Sequence, residues 1–406
     1  MIAGKVQYYV YVTTEKKLTL NVTNAVEDLG WEENEKEISC RISFTMYNAT
    51  YENQRLSTLI KIGQAVTVKA NWGDGSKTIV TGFIKEAERD STKSSEAYKI
   101  IAYDCLFSMQ KSQDNVYYAK GKKTKAALTD IFKKWSVKID KYTGPDVKHS
   151  KIVYKNKNLS DIVLGILDEA VKKGGAKSVV RASGNKVSIL KIGSNSEVYQ
   201  FDSSNCVESK YKISITSMVT RVKIVASKKD SDQAKVEAVV NGKTSYGVMQ
   251  KIQTHASSDS LSDAKKAARE ILDEYGDPKK TMTVQAPDVP PIYKGDMVHI
   301  NAGSLKGDYI VKSIQHNAAT GKMSMDVEAY KEKTSTESKK KKEKKAKYKV
   351  TARSGLNLRT APNATIIATM PYGTTVTYNN KKNGNWLNVT YGSKTGYAYN
   401  QWLKKV

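Results

Sequence analysis

Short runs in which apolar and polar residues alternate recur along most of this chain, and they restrict its fold more than any other feature of the sequence. Alternation at period two places every second side chain on one face, as in antiparallel β-strands with one buried face. Gly73-Asp74-Gly75 separates two of these runs and predicts a hairpin turn. The runs before residue 109 lie at 6–12, 17–22, 38–46, 65–72, 78–84 and 98–104. This segment is predicted to form a small β-barrel.

From about 113 to 198 the apolar residues follow a helical period instead. One predicted helix has an apolar face formed by Ala127, Leu128, Ile131, Phe132 and Trp135. A second predicted helix begins at Ser160, a suitable N-cap, and ends at Gly174-Gly175. Strand patterns follow at 178–182 and 186–192, so this segment is predicted to be α+β.

Strand patterns then return with one helix among them. The helix is expected to begin at Ser260 or Ser262 and to end at Gly276, with Pro278 just beyond. The predicted strands are 211–226, 234–240, 281–286, 297–302, 307–315 and 322–330. These elements predict a second β-barrel that carries one helix.

The formal charge of +26 is concentrated near the C-terminal end. Residues 331–349 hold ten lysines and three glutamates, and such a run buries too little apolar surface to fold, so we interpret it as a solvated linker. Residues 350–406 contain seven Lys or Arg and no Asp or Glu, and their short strands suit one SH3-type barrel. A basic unit also suits a polyanionic cell wall or nucleic acid, but no DNA-binding or RNA-binding motif is present, so nucleic acid is not expected as a partner.

No candidate catalytic or metal-binding pattern in the sequence has the surroundings that its chemistry requires. The three cysteines are far apart and include no C-x-x-C pair, and no two histidines lie within helical reach of each other, so no metal site or cofactor is expected. Asp104-Cys105 has the residue types of a cysteine peptidase nucleophile, but Cys105 ends a strand pattern and is interpreted as a buried structural thiol. The stretch 241–244 lacks the glycine spacing of a phosphate loop and is interpreted as a hairpin turn.

No apolar run approaches the ~18 residues that a membrane span requires. The N-terminal run at 6–12 has no basic region before it and is interpreted as a strand, not as a signal peptide. Synthesis in the cytoplasm is therefore expected.

The predicted fold is mainly β with an α+β insertion: two related β-barrel domains flank an α+β domain, and an SH3-like β-barrel follows at the C-terminal end. The predicted domains are a first barrel at 1–112, an α+β middle domain at 113–198, a second barrel with one helix at 199–330, a Lys-rich linker at 331–349 and the SH3 unit at 350–406.

Four stretches of the first 330 residues resemble baseplate hub proteins of contractile phage tails and phage-tail-like bacteriocins, of the late control protein D or XkdQ type. Each motif is weak alone, but their order and spacing match the family. The stretches are 102–113 at the end of the first barrel, 215–226 at the start of the second barrel, 246–254 with the Ala-rich helix 263–275, and 293–328.

This resemblance implies a non-enzymatic, trimeric adaptor between tail tube and central spike. Two copies of one barrel per chain would let three chains present six similar modules. The implied partners are the tube protein, the spike protein, other baseplate proteins and the tape measure protein. The chain is expected in the bacterial cytoplasm during assembly and then in the baseplate of the released particle. We predict that open edge strands join the protomers, with 38–46, 65–72, 297–302 and 307–315 as candidates.

Residues 350–406 resemble a bacterial SH3 domain through the tracts 354–362, 370–374, 384–389 and 396–398. This resemblance implies binding to peptidoglycan. Aromatic side chains can stack on a sugar or a peptide, so they are the candidate contacts for such a ligand. Trp386 and Tyr397 suit a core position at least as well. The candidate binding residues are Arg359, Tyr391, Tyr399 and Trp402. The alternative function is a peptidoglycan hydrolase or wall-binding protein targeted by its SH3 domain, in which a hydrolase would require catalysis by Cys105.

Overall fold

The computed structural model describes residues 6–73, 75–91, 96–226, 235–255, 260–330 and 346–406. The chain divides into two units, Met1–Tyr330 and Lys331–Val406. Asp74 and most of the predicted linker, 331–345, lie outside the described residues. No helix in the described part of the chain is long and apolar enough to cross a membrane.

The first barrel is one curved antiparallel sheet around an apolar core. Its strands follow the order β2-β1-β7-β8-β9-β4-β3, and alternating inward residues such as Val66, Val68 and Ala70 are fully buried. The elements are β1 (Gln7–Thr13), β2 (Thr19–Asn21), a 3-10 turn (Thr23–Ala25), β3 (Val26–Glu33), β4 (Arg41–Tyr47), β5 (Thr50–Tyr51), β6 (Gln54–Arg55), α1 (Leu56–Leu59), β7 (Ala65–Asn71), β8 (Ser76–Ser91) and β9 (Glu96–Tyr103).

The next segment packs two amphipathic helices on small sheets around a separate apolar core. The predicted N-cap Ser160 is wrong, because the second long helix begins one residue earlier, at Leu159, and Asn158 precedes it without a side-chain cap. The elements are α2 (Phe107–Gln110), β10 (Gln113–Tyr118), α3 (Thr124–Lys134), β11 (Lys138–Tyr142), β12 (Ile152–Asn158), α4 (Leu159–Lys172), β13 (Ser178–Ser183) and β14 (Lys186–Lys191).

The second barrel is built from six strands in the order β16-β20-β23-β22-β21-β15. A small three-stranded sheet and one helix are inserted between its second and third strands in chain order. The elements are β15 (Tyr199–Asp202), β16 (Glu208–Ser214), β17 (Arg221–Ala226), β18 (Val236–Asn241), β19 (Gln250–His255), α5 (Leu261–Tyr275), β20 (Lys279–Pro287), β21 (Met297–Ala302), β22 (Leu305–Asn317) and β23 (Lys322–Ala329).

The two barrels have the same strand order. Six strands of the first barrel each have a counterpart in the second barrel, with the same rank along the chain and the same position in the sheet. The pairs are β1 and β15, β3 and β16, β4 and β20, β7 and β21, β8 and β22, and β9 and β23. The pairings are antiparallel in both barrels except the last, because β15 runs parallel to β21 where β1 runs antiparallel to β7. The prediction of two related barrels is confirmed.

The inserted sheet corrects two sequence predictions. The run 211–226 is not one strand, because β16 joins the barrel sheet and β17 forms the centre of the small sheet. The stretch 241–244 is not a hairpin turn, since the strands on either side of it, β18 and β19, pair with opposite edges of β17. The cap at Ser260 is confirmed: its hydroxyl accepts a hydrogen bond from the backbone N–H of Asp263 at 3.1 Å, and α5 ends before Gly276.

The terminal unit is a seven-stranded sheet around a core of its own. Its elements are β24 (Lys347–Val350), β25 (Leu356–Arg359), β26 (Ile366–Met370), β27 (Thr375–Asn383), β28 (Trp386–Tyr391), β29 (Lys394–Tyr399), a 3-10 turn (Asn400–Trp402) and β30 (Leu403–Lys405).

The predicted edge strands are wrong. Within the described residues, β4, β7, β21 and β22 are each hydrogen-bonded to strands on both sides. Period-two alternation identifies a strand, but it does not reveal whether distant segments cover its edges. The end of β22 does lie at a junction between barrels, but the junction is inside this chain, where β22 pairs with β3.

Candidate functional sites at the barrel junction and in the terminal groove

The junction between the two barrels is a short antiparallel pairing of β22 with β3. It makes one continuous sheet of the two barrels. Outside the pairing itself, the hydroxyl of Ser313 accepts a hydrogen bond from the backbone N–H of Glu35 at 3.1 Å. The opposed residues are Ile314 and Glu33, Gln315 and Glu32, His316 and Trp31, and Asn317 and Gly30.

A buried polar network lies under this pairing. Nδ1 of His316 is 2.6 Å from Oδ1 of Asp288, and Nε2 is 3.1 Å from the carbonyl oxygen of Ile292. The other oxygen of Asp288 accepts a hydrogen bond from the hydroxyl of Tyr8 in the first barrel. Both nitrogens of His316 therefore lie within hydrogen-bond distance of oxygen atoms of the second barrel. The Tyr8 hydroxyl links this network to the first barrel and fixes the two barrels in one register.

A second buried cluster joins both barrels to the middle segment. A carboxylate oxygen of Glu33 accepts a hydrogen bond from the backbone N–H of Lys294 at 2.6 Å, and Nζ of Lys294 donates to the carbonyl oxygen of Glu37 at 2.6 Å. Burial lowers the pKa of the Lys294 ammonium, although the charge of Glu33 opposes this shift. From β13, Nη2 of Arg181 donates to the carbonyl oxygen of Lys294 at 2.9 Å and to Oδ1 of Asp296 at 2.8 Å. Three parts of the chain therefore share one network, which resists shear between them.

Cys105, the residue that a hydrolase would require, lies in a different environment from an activated nucleophile. Burial and the Asp104 carboxylate raise the pKa of its thiol to about 12, and its Sγ is 3.9 Å from the carbonyl oxygen of Lys186. A catalytic cysteine needs its pKa lowered, because the thiolate is the nucleophile. Among the described residues, no group of three or more His, Cys, Asp or Glu is arranged to hold a metal ion.

The terminal unit contains a groove of about 780 Å³ between the start of β25 and the end of the unit. One wall is the segment 351–357. The opposite side presents Trp386, Tyr399 and Trp402, of which Trp386 and Tyr399 meet edge to face with ring centroids 5.2 Å apart. Trp402 is 44% exposed and ends the 3-10 turn after β29. Aromatic rings beside polar backbone suit a sugar or peptide ligand.

The structure brings three of the four predicted binding residues together. Arg359, Tyr399 and Trp402 line the groove, whereas Tyr391 lies at the end of β28, outside the lining, and packs against the core of the unit. Trp386, for which the sequence makes a core position at least as suitable, also lines the groove and is half-buried. Arg353 was missed, and its place directly before the Ser354-Gly355 turn was the available signal.

The groove is basic. Arg353 and Arg359 are the two cations in its lining, and no carboxylate side chain exists between residues 350 and 406 to neutralise them. Arg359 donates from Nη1 to the carbonyl oxygen of Ala364 at 2.7 Å, which orients its guanidinium group. Such a surface favours negatively charged ligands.

Family models match both units of the chain. A model described as YQBQ-like matches residues 29–329, and a model described as a bacterial SH3 domain matches residues 354–404. The predicted SH3 domain is thereby confirmed. No curated protein sequence matches this chain.

Solved structures of similar fold are phage tail proteins. A tail protein from Neisseria meningitidis MC58 has a TM-score of 0.53 at 13% identity, over 79% of this chain and 95% of that chain. The 43 kDa tail protein of prophage MuSo2 from Shewanella oneidensis has a TM-score of 0.55 at 11% identity, over 79% of this chain and 98% of that chain. The predicted resemblance to phage tail proteins is confirmed for the fold.

Proposed function

The chain belongs to the YQBQ-like family, and we propose that it is a structural baseplate hub of a contractile phage tail or tailocin. In this role it is a trimeric adaptor that joins the tail tube to the central spike. The observation that carries the proposal is the identical strand order of the two barrels. A sixfold tube stacked on a threefold spike needs an adaptor with both repeats, and three chains with two barrels each provide it.

The buried networks at the junction support a role in transmitting force. Tyr8 with Asp288, and Lys294 with Glu33, tie the barrels together where the sheet crosses between them. Moving the barrels apart would break these buried hydrogen bonds, which is costly. The pair of barrels therefore moves as one body when the tail contracts.

The terminal SH3 domain is the cell-wall contact of this hub. Its groove combines Arg353 and Arg359 with Trp386, Tyr399 and Trp402, and it suits the anionic glycans and peptides of a wall. The partners of the remainder of the chain are the tube, spike, tape measure and other baseplate proteins. Assembly takes place in the bacterial cytoplasm, and the protein is then released in the baseplate of the particle.

The environment of Cys105 supports a non-enzymatic role for this chain. Its raised pKa leaves a neutral thiol at physiological pH, which opposes the alternative of a cysteine-dependent peptidoglycan hydrolase. Zymography on peptidoglycan with the parent chain and Cys105→Ala tests this. Clearing by the parent that is lost in Cys105→Ala would establish the hydrolase instead.

Electron microscopy of assembled particles tests the hub directly. A label fused to this chain is expected at the point where the tail tube meets the spike. A label spread along the tube, or particles that lack the chain, would refute the proposal.

A further inference from the structure

The junction between the barrels uses one strand from each, and each of these strands has a counterpart in the other barrel. By rank in the shared strand order, β22 corresponds to β8, and β3 corresponds to β16. The chain pairs β22 with β3 but does not pair β8 with β16. Each chain therefore contains one closed junction and the two separate halves of a second one.

The residues of β8 and β22 can be matched one by one. Both strands carry a bulge at the same step of their pairing with the next strand, after Ile84 in β8 and after Val311 in β22. Ile84 exchanges backbone hydrogen bonds with the Gly63-Gln64 turn, and Val311 makes the same two bonds with Gly295-Asp296. Gly63 and Gly295 have φ angles of 90° and 89°. Ile84 is thus equivalent to Val311, and Arg89 to His316.

The match of β3 with β16 follows from the strands beside them. Ala102 in β9 pairs with Ile84, and Val327 in β23 pairs with Val311, so Ala102 and Val327 are equivalent. Ile42 in β4 pairs with Ala102, and Met282 in β20 pairs with Val327, so these two residues are equivalent as well. The residue paired with Ile42 is Trp31, and the residue paired with Met282 is Tyr211. Tyr211 is therefore equivalent to Trp31, the residue that contacts His316 in the closed junction.

Both halves of the second junction are open. Along β8 the pairing with β7 stops at Phe83, so the segment 85–91 has β9 on one side and no strand of the described chain on the other. The outer edge of β16 has no partner strand among the described residues either. Tyr211 and Ile213 of β16 are 43% and 56% exposed. An exposed edge with apolar side chains is a template for strand pairing.

We infer that β8 of one chain pairs antiparallel with β16 of a second copy of this chain, in the register of the closed junction. This inference rests on the proposed hub assembly and gives it an interface. The opposed residues would be Ala87 and Ile213, Glu88 and Lys212, Arg89 and Tyr211, and Asp90 and Lys210.

Charge supports this register. The register is copied from the closed junction, so the side-chain charges of β8 and β16 play no part in choosing it. It nevertheless places Glu88 opposite Lys212 and Asp90 opposite Lys210. Opposite charges directly across a strand pair are stabilising, and like charges there are destabilising. A shift by one residue would instead place Arg89 beside Lys210 or Lys212.

The other two pairs also fit. Arg89 would take the place of His316, and Tyr211 would take the place of Trp31, so a guanidinium group would lie on an aromatic ring. Ala87 is already half-buried, and Ile213 would be covered by the pairing. Because β8 and β16 are different surfaces, the contact is heterologous, and successive chains close into a ring when the rotation allows it.

Disulfide trapping between copies tests the register. In a background with Cys105→Ser and Cys206→Ser, full-length chains carrying Glu88→Cys are mixed with chains carrying Lys212→Cys and oxidised mildly. Directly opposed Cα atoms in an antiparallel pair lie ~4.5–5.5 Å apart, within the ~4.4–6.8 Å that a disulfide spans, so a covalent dimer of unlike chains is expected. The matched control, Glu86→Cys with Lys210→Cys, is four residues out of register, about 13 Å, and is expected to give none.

Charge reversal gives an independent readout. Glu88→Lys with Asp90→Lys, or Lys210→Glu with Lys212→Glu, is expected to lower the affinity of self-association at least tenfold. Combining all four changes is expected to restore it, and circular dichroism checks that each variant is folded. No disulfide and unchanged assembly in every variant would overturn this strand pairing while leaving the trimer intact. A parent chain that remains monomeric would overturn the hub assembly itself.

Discussion

The imidazole ring of His316 stacks on the indole of Trp31, with ring centroids 4.4 Å apart and planes inclined by 11°. Trp31 belongs to the first barrel and His316 to the second, and the two are opposed in the strand pairing that joins them. Asp288 holds the other side of the imidazole at 2.6 Å. The contact between the barrels is thus an aromatic ring of the first barrel stacked on an imidazole that a buried carboxyl group of the second barrel holds in place.

Removing this imidazole should be far more damaging than removing an exposed one. His316→Ala leaves the Asp288 carboxyl group buried without its imidazole partner and removes the stacking on Trp31, and we expect a loss of about 3–5 kcal/mol in the free energy of unfolding. His299 pairs with Asp308 at the surface, and His299→Ala should cost about 0–1 kcal/mol. Urea denaturation of both variants measures the difference. Equal losses would show that the His316 imidazole does not stabilise the junction between the barrels.

The stability of the chain should rise on mild acidification because of Asp104. Burial raises the pKa of this carboxyl group to about 6, although hydrogen bonds from Cys40, Ser39 and Leu106 oppose the shift. The unfolded carboxyl group titrates near 3.8, so between these values the folded state binds more protons and stability falls as pH rises. From pH 7 to pH 5 we expect a gain of about 1 kcal/mol from this group.

Denaturation of the parent chain and Asp104→Asn at both pH values isolates this contribution. The gain on acidification should be smaller in Asp104→Asn by that amount, because its side chain does not titrate. An identical pH dependence in the two proteins would mean that Asp104 does not have a raised pKa in the folded state.

The equivalent glycines of the two barrels should differ in their tolerance of alanine. Both need a positive φ angle, which costs an alanine roughly 1 kcal/mol. A Cβ on Gly63 meets nothing within 4 Å, whereas a Cβ on Gly295 would lie 2.6 Å from Cγ1 of Val179. Thermal unfolding should therefore show Gly295→Ala to be clearly less stable than Gly63→Ala. Similar losses would mean that the middle segment does not pack against the second barrel as described.

Much of the fold could be predicted from the sequence, and the failures have physical reasons. The runs 65–72 and 297–302 alternate cleanly and form strands β7 and β21. Strand β3 was missed because its inward positions include Glu33, a buried carboxylate that alternation scores as polar. Which strands are edges depends on partners elsewhere in the chain, such as β3 for β22, and a local pattern carries no information about them.

The binding groove could be predicted only in part, because residues from separate parts of the terminal unit form it. Tyr399 is the last residue of β29, and Trp402 ends the 3-10 turn after it, where side chains tend to remain accessible. Tyr391 is likewise the last residue of β28, but it packs on the core. The wall that contains Arg353 comes from the other end of the unit, so the groove is a product of the fold and not of any one motif.

Wall binding should depend on the aromatic rings of the groove. In the full chain, Tyr399→Ala with Trp402→Ala should reduce retention on purified host cell walls by roughly tenfold or more, since an aromatic anchor contributes ~2 kcal/mol. Tyr391→Phe, outside the groove lining, is the matched control and should bind as the parent does. Full retention of the double variant would show that the wall contact lies elsewhere.

The mass of the purified full-length chain in solution, measured by sedimentation equilibrium alone and with tube or spike protein, tests the central claim most directly. The account predicts a particle of three chains, three times 45.1 kDa, whose six barrels form one ring. A chain that stays at 45.1 kDa at high concentration and in every mixture would contradict it.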